Sequence, residues 1–256
     1  MTTPARPVAV ITGASSGIGE QFARRYAKEG YDLVLVARSE VVLRALAAEL
    51  TTTRQITVDV RVADLTKAAD VAALADELVT GLPRLDHVVN CAGVAPEGDL
   101  ARADERALQQ MVDLNITALT LLTRAAIIRM RPQRRGTIIN VASTAAYQPM
   151  PHLAAYAASK SYVRIITEAM SEENRSHGLR ILAVSPGDTE TPMNPGAAKN
   201  KRTPEQVVDT TWRALPGTAP SVVDGRANSL LATVASRYLP KRFGLRTAER
   251  MMRHKG

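Results

Sequence analysis

The sequence contains a single cysteine, Cys91, among its 256 residues. A disulfide framework within the chain is therefore excluded, which is typical of proteins that fold in a reducing compartment. The apolar run at residues 8–11 is too short for the core of a signal peptide, and Arg124 and Arg129 interrupt the apolar stretch at 116–130. We therefore expect a cytoplasmic protein without an export signal or a membrane span.

Histidines are also few, and their positions do not indicate a metal site. Metal-binding sequences place histidines and cysteines at short, regular spacings. The four histidines share no such spacing with one another or with Cys91; they are His87, His152, His177 and His254. We therefore predict no metal site.

The excess of positive charge is concentrated at one end of the chain. The net charge is +8, and residues 226–256 hold eight basic residues but one acidic residue, Glu249. No aromatic-rich or nucleic-acid-binding motif accompanies them, so we predict no nucleic-acid partner. Apolar residues are interspersed on both sides of Pro240, which predicts two short amphipathic helices. These could pack on the domain or on a partner subunit, contact a membrane surface weakly, or dock an acidic acyl carrier.

Short apolar, β-rich runs alternate with longer helix-like patterns along the chain. Seven runs predict buried strands, at 8–12, 33–37, 56–60, 87–90, 137–142, 180–185 and 221–223. The helical patterns between them cover roughly 18–29, 39–50, 67–80, 104–130, 153–176 and 204–214. Apolar strands separated by helices indicate a parallel sheet that is covered on both faces.

This order of elements predicts a single doubly wound α/β domain with about seven strands. The length fits one domain with one large core. We expect residues 1–225 to form its catalytic body and residues 226–256 to be a basic helical extension of it. A sheet of this kind binds ligands at the carboxyl ends of its strands, near the point where the strand order reverses.

A glycine-rich turn follows the first predicted strand and has the sequence TGASSGIG, at 12–19. Glycines let the backbone approach a pyrophosphate closely, and the N-terminus of the next helix offers free N–H groups. The hydroxyls of Ser15 and Ser16 are further donors. The spacing Gly-x-x-x-Gly-x-Gly differs from the general dinucleotide fingerprint, and a turn used only for packing is the alternative.

The chain from residue 7 to about 225 resembles the short-chain dehydrogenase/reductase family, whose ordered motifs follow the glycine loop. The resemblance implies a Rossmann-type fold, hydride transfer at an alcohol or carbonyl carbon, and an NADP-preferring, ketoreductase-like branch. Asn90-Cys91-Ala92-Gly93 resembles the family's Asn-Asn-Ala-Gly motif, with Cys91 as the departure. A hydrogen bond that the second Asn makes in relatives would therefore be lost.

The catalytic residues implied by the resemblance are Asn115, Ser143, Tyr156 and Lys160. In the family, the lysine also binds the nicotinamide ribose, and the asparagine bends its helix and anchors a water. The implied cofactor-binding residues are Gly13, Ser15, Ser16, Gly17, Ile18, Gly19, Arg38, Asp64, Leu65, Asn90, Ala92, Gly93, Tyr156, Lys160, Pro186, Gly187, Thr189 and Thr191.

The residue types themselves suit acid–base chemistry. Tyr156 and Lys160 are four residues apart on a predicted helix, so both project from the same face. A neighbouring ammonium favours the phenolate, and we therefore expect the pKa of Tyr156 to be lowered. The hydroxyl of Ser143, at the end of the fifth strand, can hold a substrate oxygen that develops negative charge.

The residue after the second strand indicates which cofactor is preferred. Enzymes that read a free 2′-hydroxyl usually carry an acid there, whereas this chain has Ala37 followed by Arg38. A guanidinium can pair with a 2′-phosphate and stack on adenine. We therefore predict NADP(H), with a solvated arginine that only starts the next helix as the alternative.

The short segment after Thr191 predicts a mobile lid over an accessible, mainly apolar substrate site. We expect a small carbonyl or alcohol substrate and a homodimer or homotetramer, as in relatives. A protein that binds NADP(H) without turnover, as a regulator or scaffold, is the alternative function. An epimerase or dehydratase is disfavoured, because the chain lacks a large substrate domain.

Overall fold

Strands and helices alternate along the part of the chain that the computed structural model describes, residues 6–195, 201–230, 232, 245–246 and 249–250. The strands are β1 (Val8–Thr12), β2 (Asp32–Ala37), β3 (Val58–Val62), β4 (His87–Asn90), β5 (Gly136–Val141), β6 (Leu179–Ser185) and β7 (Ser221–Val223). The α-helices named below are α1 (Gly17–Lys28), α2 (Glu40–Arg54), α3 (Ala68–Asp76), α4 (Glu105–Val112), α5 (Leu119–Met130), α6 (Ala154–Arg175) and α7 (Pro204–Ala214).

The strands form one parallel sheet with the order β3-β2-β1-β4-β5-β6-β7, which confirms the predicted doubly wound fold. After β3 the chain crosses back to the other side of β1, so the order reverses between β1 and β4. Their last residues, Thr12 and Asn90, are paired, and Asn90 is paired in turn with Asn140 of β5. The loops that follow these three strands therefore leave the same edge of the sheet.

The two faces of the sheet bury separate apolar cores. Successive residues of a strand point to opposite faces. In β1, Ala9 and Ile11 lie in one core with Phe22 of α1, whereas Val10 lies in the other core with Leu122 of α5. Helices α1, α2 and α7 cover the first face, and α3, α5 and α6 cover the second. This double burial explains why the strands read as apolar runs.

The third strand is displaced from its predicted position and is not buried. It covers Val58–Val62 rather than 56–60, and it lies at the edge of the sheet beside β2. Asp59 and Val62 are exposed, whereas Ile56 is buried ahead of the strand. An edge strand has one neighbour and a polar surface, so its residues alternate in burial. The other strands agree with the predictions within one residue and the helices within four.

A π-helical segment, Asp113–Ala118, joins α4 to α5, and it contains Asn115. The expected bend at Asn115 is thus a local widening of the helix, a feature often found at functional sites. Among the described residues, this long helix, Glu105–Met130, is the one stretch that is long and apolar enough to cross a membrane, with a mean hydropathy of 1.5. Half of that window is buried inside the fold, and a buried core helix passes the same test.

The predicted C-terminal extension is described only in part. Residues 226–230, 232, 245–246 and 249–250 are helical. The expected break between two helices at Pro240 lies outside the described residues. Glu249 lies 3.1 Å from Nε2 of His152, so the extension contacts the loop that precedes α6.

A histidine, His87, lies at the amino end of β4, whereas the glycine loop lies at the carboxyl ends of the strands. Nδ1 of His87 is 2.8 Å from the hydroxyl of Tyr26, and Nε2 is 3.3 Å from the hydroxyl of Tyr31. The rings of Tyr26 and Trp212 pack edge to face beside it. Burial lowers the pKa of His87 from 6.5 to about 4, although the charge of Asp86 acts in the opposite direction. The imidazole is therefore neutral at physiological pH.

We expect His87 to make the fold sensitive to acid. Its pKa in the folded state lies below its value in the unfolded chain, so the unfolded chain takes up the proton first. The stabilisation is complete above pH 6.5 and is lost as the pH falls from 6.5 to 4, by up to about 3 kcal/mol. The measurement is the free energy of unfolding across this range for the wild type and for His87→Gln, which should have a shallower slope.

The matched control is His177→Gln, which changes a histidine outside this aromatic cluster and should retain the wild-type slope. Equal slopes for the wild type and His87→Gln would show that the acid sensitivity arises elsewhere.

Candidate active site

The glycine loop closes tightly on itself and on the segment after β4. Gly13 and Gly17 have φ angles of +69° and +57°, which favour glycine. A Cβ at Gly13 would lie 2.9 Å from Cα and N of Ala92, and one at Gly19 would overlap the carbonyl oxygen of Gly13. Helix α1 begins at Gly17, and its N-cap, Ser16, makes no side-chain capping bond. The first N–H groups of α1 therefore face the loop without a side-chain cap.

The other predicted residues of the loop divide between surface and core. Ser16 is exposed and Ser15 is half-buried, so both hydroxyls border the loop. Ile18 packs against the core under α1 and holds the start of this helix on the sheet. Ile18 therefore contributes packing, and its backbone N–H belongs to the unpaired first turn.

Thr12, which was not among the predicted site residues, connects the glycine loop to β4. Its buried hydroxyl accepts hydrogen bonds from the backbone N–H groups of Cys91, at 3.1 Å, and Ala92, at 3.2 Å. The position of Thr12 at the start of the glycine motif was the available signal. This contact fixes the separation between the first and fourth strands beyond their last pair.

Arg38 and Asp64 lie beside each other after β2 and β3. Arg38 is exposed and makes no hydrogen bond or ion pair within the described part of the chain. Burial acts to raise the pKa of Asp64, but hydrogen bonds from Thr66 and the charge of Arg38 outweigh it and hold that pKa below its ordinary value. Leu65 is buried in the second core. The guanidinium is thus available to a ligand, whereas Asp64 is fixed by Thr66.

The side chain of Asn90 points into the protein rather than toward the glycine loop. Its Nδ2 donates to Oγ1 of Thr123, at 3.0 Å, and to Oδ1 of Asn140, at 2.9 Å. Nδ2 of Asn140 donates in turn to Oγ1 of Thr167. The predicted role of Asn90 in cofactor binding therefore cannot come from these two side-chain bonds, which hold β4, β5 and two helices together.

Cys91 and Gly93 border the predicted catalytic lysine, Lys160. Burial raises the pKa of the Cys91 thiol to about 12, although the charge of Lys160 acts in the opposite direction, so the thiol stays protonated at neutral pH. A Cβ at Gly93 would lie 3.4 Å from Nζ of Lys160 and 3.2 Å from Oδ1 of Asn115. The backbone at Gly93 thus lies between two of the predicted catalytic residues.

Asn115 is buried and ties the π-helical segment to the loop after β4. Its Oδ1 accepts a hydrogen bond from N–H of Val94, at 3.0 Å, and its Nδ2 donates to the carbonyl oxygen of Val94, at 2.9 Å. Nδ2 also donates to Oγ of Ser159, whose hydroxyl donates to the carbonyl oxygen of Tyr156. Ser159, which sequence reasoning missed, therefore links Asn115 to the catalytic helix α6.

Ser143, Tyr156 and Lys160 meet at the carboxyl end of β5. The hydroxyl of Tyr156 is hydrogen-bonded to Ser143. Oγ of Ser143 accepts a hydrogen bond from N–H of Ala145, at 3.1 Å, which orients the serine. Nζ of Lys160 lies 5.8 Å from the ring centroid of Tyr156 and donates to the carbonyl oxygen of Val141, at 2.9 Å.

The ionisation of this group differs from the sequence prediction. Burial raises the pKa of Tyr156, and the hydrogen bond from Ser143 offsets only part of that effect. The expected lowering by Lys160 is wrong for this arrangement, because the ammonium is directed at Val141 rather than at the phenol oxygen. Burial also lowers the pKa of Lys160 from 10.5 to about 8. Tyr156 is therefore a protonated phenol at neutral pH.

The segment after β6 contacts both the residue that follows Ser143 and the glycine loop. The carbonyl oxygen of Pro186 accepts a hydrogen bond from N–H of Thr144, and Thr189 donates through Oγ1 to the carbonyl oxygen of Gly187. A Cβ at Gly17 would lie 3.1 Å from Cγ2 of Thr191. Pro186 and Thr191 thus connect this segment to the end of β5 and to the glycine loop.

The predicted lid at 192–202 is held by bridges at its two ends. Thr189 bridges to Arg202, and Thr191 bridges to Asn194. Residues 196–200 lie outside the described part, so the expected mobility of the lid stays a prediction.

Two cavities are lined by residues that neighbour Ser143 and Tyr156 in the sequence. The larger, of about 300 Å³, is lined by Pro96, Glu97, Gly98, Asp99, Leu100, Ala103, Leu108, Pro151, His152, Leu153, Ala154, Ala155 and Glu249. The smaller, of about 90 Å³, includes Ala145, Tyr147 and Asn228. Ala154 and Ala155 directly precede Tyr156 in the sequence, and Thr144 and Ala145 directly follow Ser143, but Ser143, Tyr156 and Lys160 are not among the lining residues of either cavity.

Comparison with known proteins identifies this arrangement. The family model for the short chain dehydrogenase matches residues 7–202. An uncharacterized oxidoreductase from Staphylococcus saprophyticus is 31% identical over 211 residues, which cover 81% of this chain and 90% of that protein. A short-chain dehydrogenase from Sphingobium yanoikuyae, solved in complex with NADPH, is 31% identical, with a TM-score of 0.83. The match covers 90% of this chain and 93% of that chain.

A bulky-bulky ketone specific alcohol dehydrogenase from Comamonas testosteroni has a TM-score of 0.81 and 28% identity, with coverage of 93% and 98% of the two chains. Complexes with NADPH and with NADH both occur among the similar solved structures. The protein is thus an oxidoreductase that acts on CH–OH donors. The chain belongs to the short-chain dehydrogenase family.

We expect Gly19→Ala to disrupt the glycine loop. The added Cβ would overlap a backbone oxygen, which cannot move without opening the turn. NADPH should bind about tenfold more weakly or worse, and the melting temperature should fall. The measurements are a titration of NADPH fluorescence and thermal unfolding.

The control is Gly217→Ala, because a Cβ there would make only an ordinary contact, 3.4 Å from the carbonyl oxygen of Ala214. If Gly19→Ala binds NADPH as tightly as the control, the loop does not hold the cofactor.

Proposed function

We propose that the protein is an NADP(H)-dependent oxidoreductase that reduces a ketone or aldehyde to an alcohol, or catalyses the reverse reaction. The observation that carries this proposal is the meeting of Ser143, Tyr156 and Lys160 beside Gly93, with Asn115 behind them. They come from three separate parts of the sequence, since Tyr156 and Lys160 are both on α6, and an apolar core gives no structural reason for a buried lysine beside a partly buried tyrosine.

The crevice suits a dinucleotide in its donor set. The glycine loop and the uncapped N-terminus of α1 would hold the pyrophosphate, since side chains at Gly13 or Gly19 would fill that space. Arg38 is exposed beside Asp64 and would pair with a 2′-phosphate. Lys160 would contact the nicotinamide ribose, and the segment at 186–191 would border the nicotinamide. The bound cofactor supplies or accepts the hydride.

The protein's own residues handle the substrate oxygen and its proton. Ser143 would donate a hydrogen bond to the carbonyl oxygen and so stabilise the negative charge that develops there. The phenol of Tyr156, protonated because burial raises its pKa, would give its proton to the resulting alkoxide. The ionisation of Tyr156 thus suits reduction at neutral pH.

The substrate in this proposal is mainly apolar. Most of the side chains that line the larger cavity are aliphatic, among them Leu100, Leu108 and Leu153. Charged groups on its wall include the pair of His152 and Glu249. A volume of about 300 Å³ lies at the lower end of the range for small-molecule sites.

The proposal includes a homo-oligomer formed through the long helix and α6. Several large apolar side chains on these helices are exposed, including Leu121, Ile128 and Ile165. An apolar surface of this kind is commonly covered by a partner. Size-exclusion chromatography with light scattering measures the assembly.

Removal of the phenol should stop turnover without removing the cofactor. Tyr156→Phe keeps the ring, so NADPH binding should persist while kcat falls by about two or more orders of magnitude. Lys160→Ala should weaken NADPH binding as well, because it removes a ribose contact. In the wild type, reduction should be fastest below the pKa of Lys160, about 8, whereas alcohol oxidation should increase with pH as Tyr156 loses its proton.

The measurements are a screen of NADPH oxidation with aliphatic, aromatic, steroid and 3-ketoacyl carbonyl compounds, followed by pH–rate profiles of the best substrate. The matched control is Tyr162→Phe. It removes a hydroxyl on the outer face of α6 that is hydrogen-bonded to Thr120 of α5. Near-normal turnover by Tyr156→Phe would contradict the mechanism, and binding of NADPH without turnover of any compound would favour a regulatory protein.

Arg38→Asp should change the cofactor preference. We expect kcat/KM for NADPH to exceed that for NADH in the wild type, and the ratio to fall at least about tenfold in the variant, because the new carboxylate repels a 2′-phosphate. Arg44→Asp, on the exposed face of α2, is the control for a general change of surface charge. A wild-type preference for NADH would overturn the assignment of Arg38.

A further inference from the structure

A fully buried carboxylate, Asp224, lies directly after β7, outside all of the motifs discussed so far. Its Oδ2 accepts a hydrogen bond from Nε of Arg202, at 2.5 Å, and its Oδ1 accepts one from the hydroxyl of Thr210, at 2.6 Å. Its backbone N–H donates to the carbonyl oxygen of Ser185, the last residue of β6. The carboxylate is therefore held between the end of the sheet and α7.

The main chain of Arg202 is bonded to the segment that borders the nicotinamide end of the crevice. N–H of Arg202 donates to the carbonyl oxygen of Asp188, and the carbonyl oxygen of Arg202 accepts from N–H of Glu190, both at 2.9 Å. Arg202 therefore makes both of these main-chain bonds and also the ion pair with Asp224. Movement of the 188–190 backbone would therefore have to pull a guanidinium away from a buried carboxylate.

A second connection runs from Asp224 to Gly187. Nδ2 of Asn228 donates to the carbonyl oxygen of Asp224, at 2.9 Å, and packs against Cα of Gly187 so closely that a Cβ there would overlap it. Asn228 also lines the smaller cavity beside Thr144 and Ala145. The two connections reach the loop from both sides, one at Gly187 and one at 188–190.

We propose that Asp224 is a positioning residue for the nicotinamide end of the site. Through Arg202 and Asn228 it fixes the backbone of 187–190, and it thereby sets both the affinity for NADP(H) and the alignment needed for hydride transfer. A buried carboxylate that loses its cationic partner strongly favours any rearrangement that brings water or another donor to it. This inference rests on the proposed function for its effect on turnover, but not for its effect on the loop.

The test compares Asp224→Asn with Asp86→Asn. Asparagine at 224 keeps the shape and an acceptor for Thr210 but removes the charge that holds Arg202. Asp86 is another largely buried carboxylate, paired with Arg84 at 2.6 Å, and it precedes β4 at the opposite edge of the sheet. Both variants should lower the melting temperature, so unfolding alone does not distinguish a positioning role from a structural one.

Only Asp224→Asn should loosen the loop. We expect NADPH to bind about five- to tenfold more weakly in a fluorescence titration, and tryptic cleavage after Lys201 to become faster. We also expect kcat to fall by a larger factor than the factor by which KM changes. Combination with Arg202→Met should add little to Asp224→Asn, because both remove the same ion pair.

If Asp224→Asn does not fold, Arg202→Lys keeps the positive charge but loses the planar guanidinium, and it should show the same changes at about two- to threefold. Wild-type NADPH affinity and cleavage rate in the folded variants would overturn the proposal. A wild-type protein that binds NADPH but turns over no carbonyl compound would instead contradict the proposed function, and the binding and cleavage measurements would still decide the role of Asp224.

Discussion

The hydroxyl of Thr12 takes the place of a backbone hydrogen-bond acceptor at the point where the strand order of the sheet reverses. Strands β1 and β4 pair up to Thr12 and Asn90, and beyond this pair the first two N–H groups after β4, those of Cys91 and Ala92, bond to one side-chain oxygen. The chain after β1 therefore turns away as the glycine loop, and the chain after β4 turns the other way. The crevice between them is a consequence of how the last backbone donors are satisfied.

Buried polar groups surround this crevice in an ordered way. Asn90, Asn140 and Thr167 join the strands to the helices beneath it, and Asn115 holds the loop at Val94. Apart from Oδ1 of Asn90, which has no hydrogen-bond partner in the described part of the chain, these groups are paired, so the backbone around Lys160 has little freedom. Burial of the Lys160 ammonium and of the Tyr156 phenol shifts both pKa values toward the neutral forms.

Local patterns were sufficient to predict most of the architecture and the identity of the candidate site. The apolar runs predicted the strands, and the ordered motifs that resemble the short-chain dehydrogenase/reductase family predicted the candidate site. What failed depends on distant neighbours. The position of β3 follows from its pairing with β2, the ionisation of Tyr156 follows from burial and from the direction of Lys160, and the pair Arg202–Asp224 joins positions whose sequence context contains no shared motif.

The close contact between Gly187 and Asn228 has a consequence for how sequences of this kind can diverge. A larger residue at 187 fits only if the residue at 228 becomes smaller or turns away, so the two positions should covary. Position 228 lies near the start of the predicted basic extension, residues 226–256, whereas 187 belongs to the loop after β6 that is proposed to border the cofactor. A change at the carboxyl terminus that suits a new substrate or partner would therefore have to preserve the close packing against Gly187, so the two regions would evolve together.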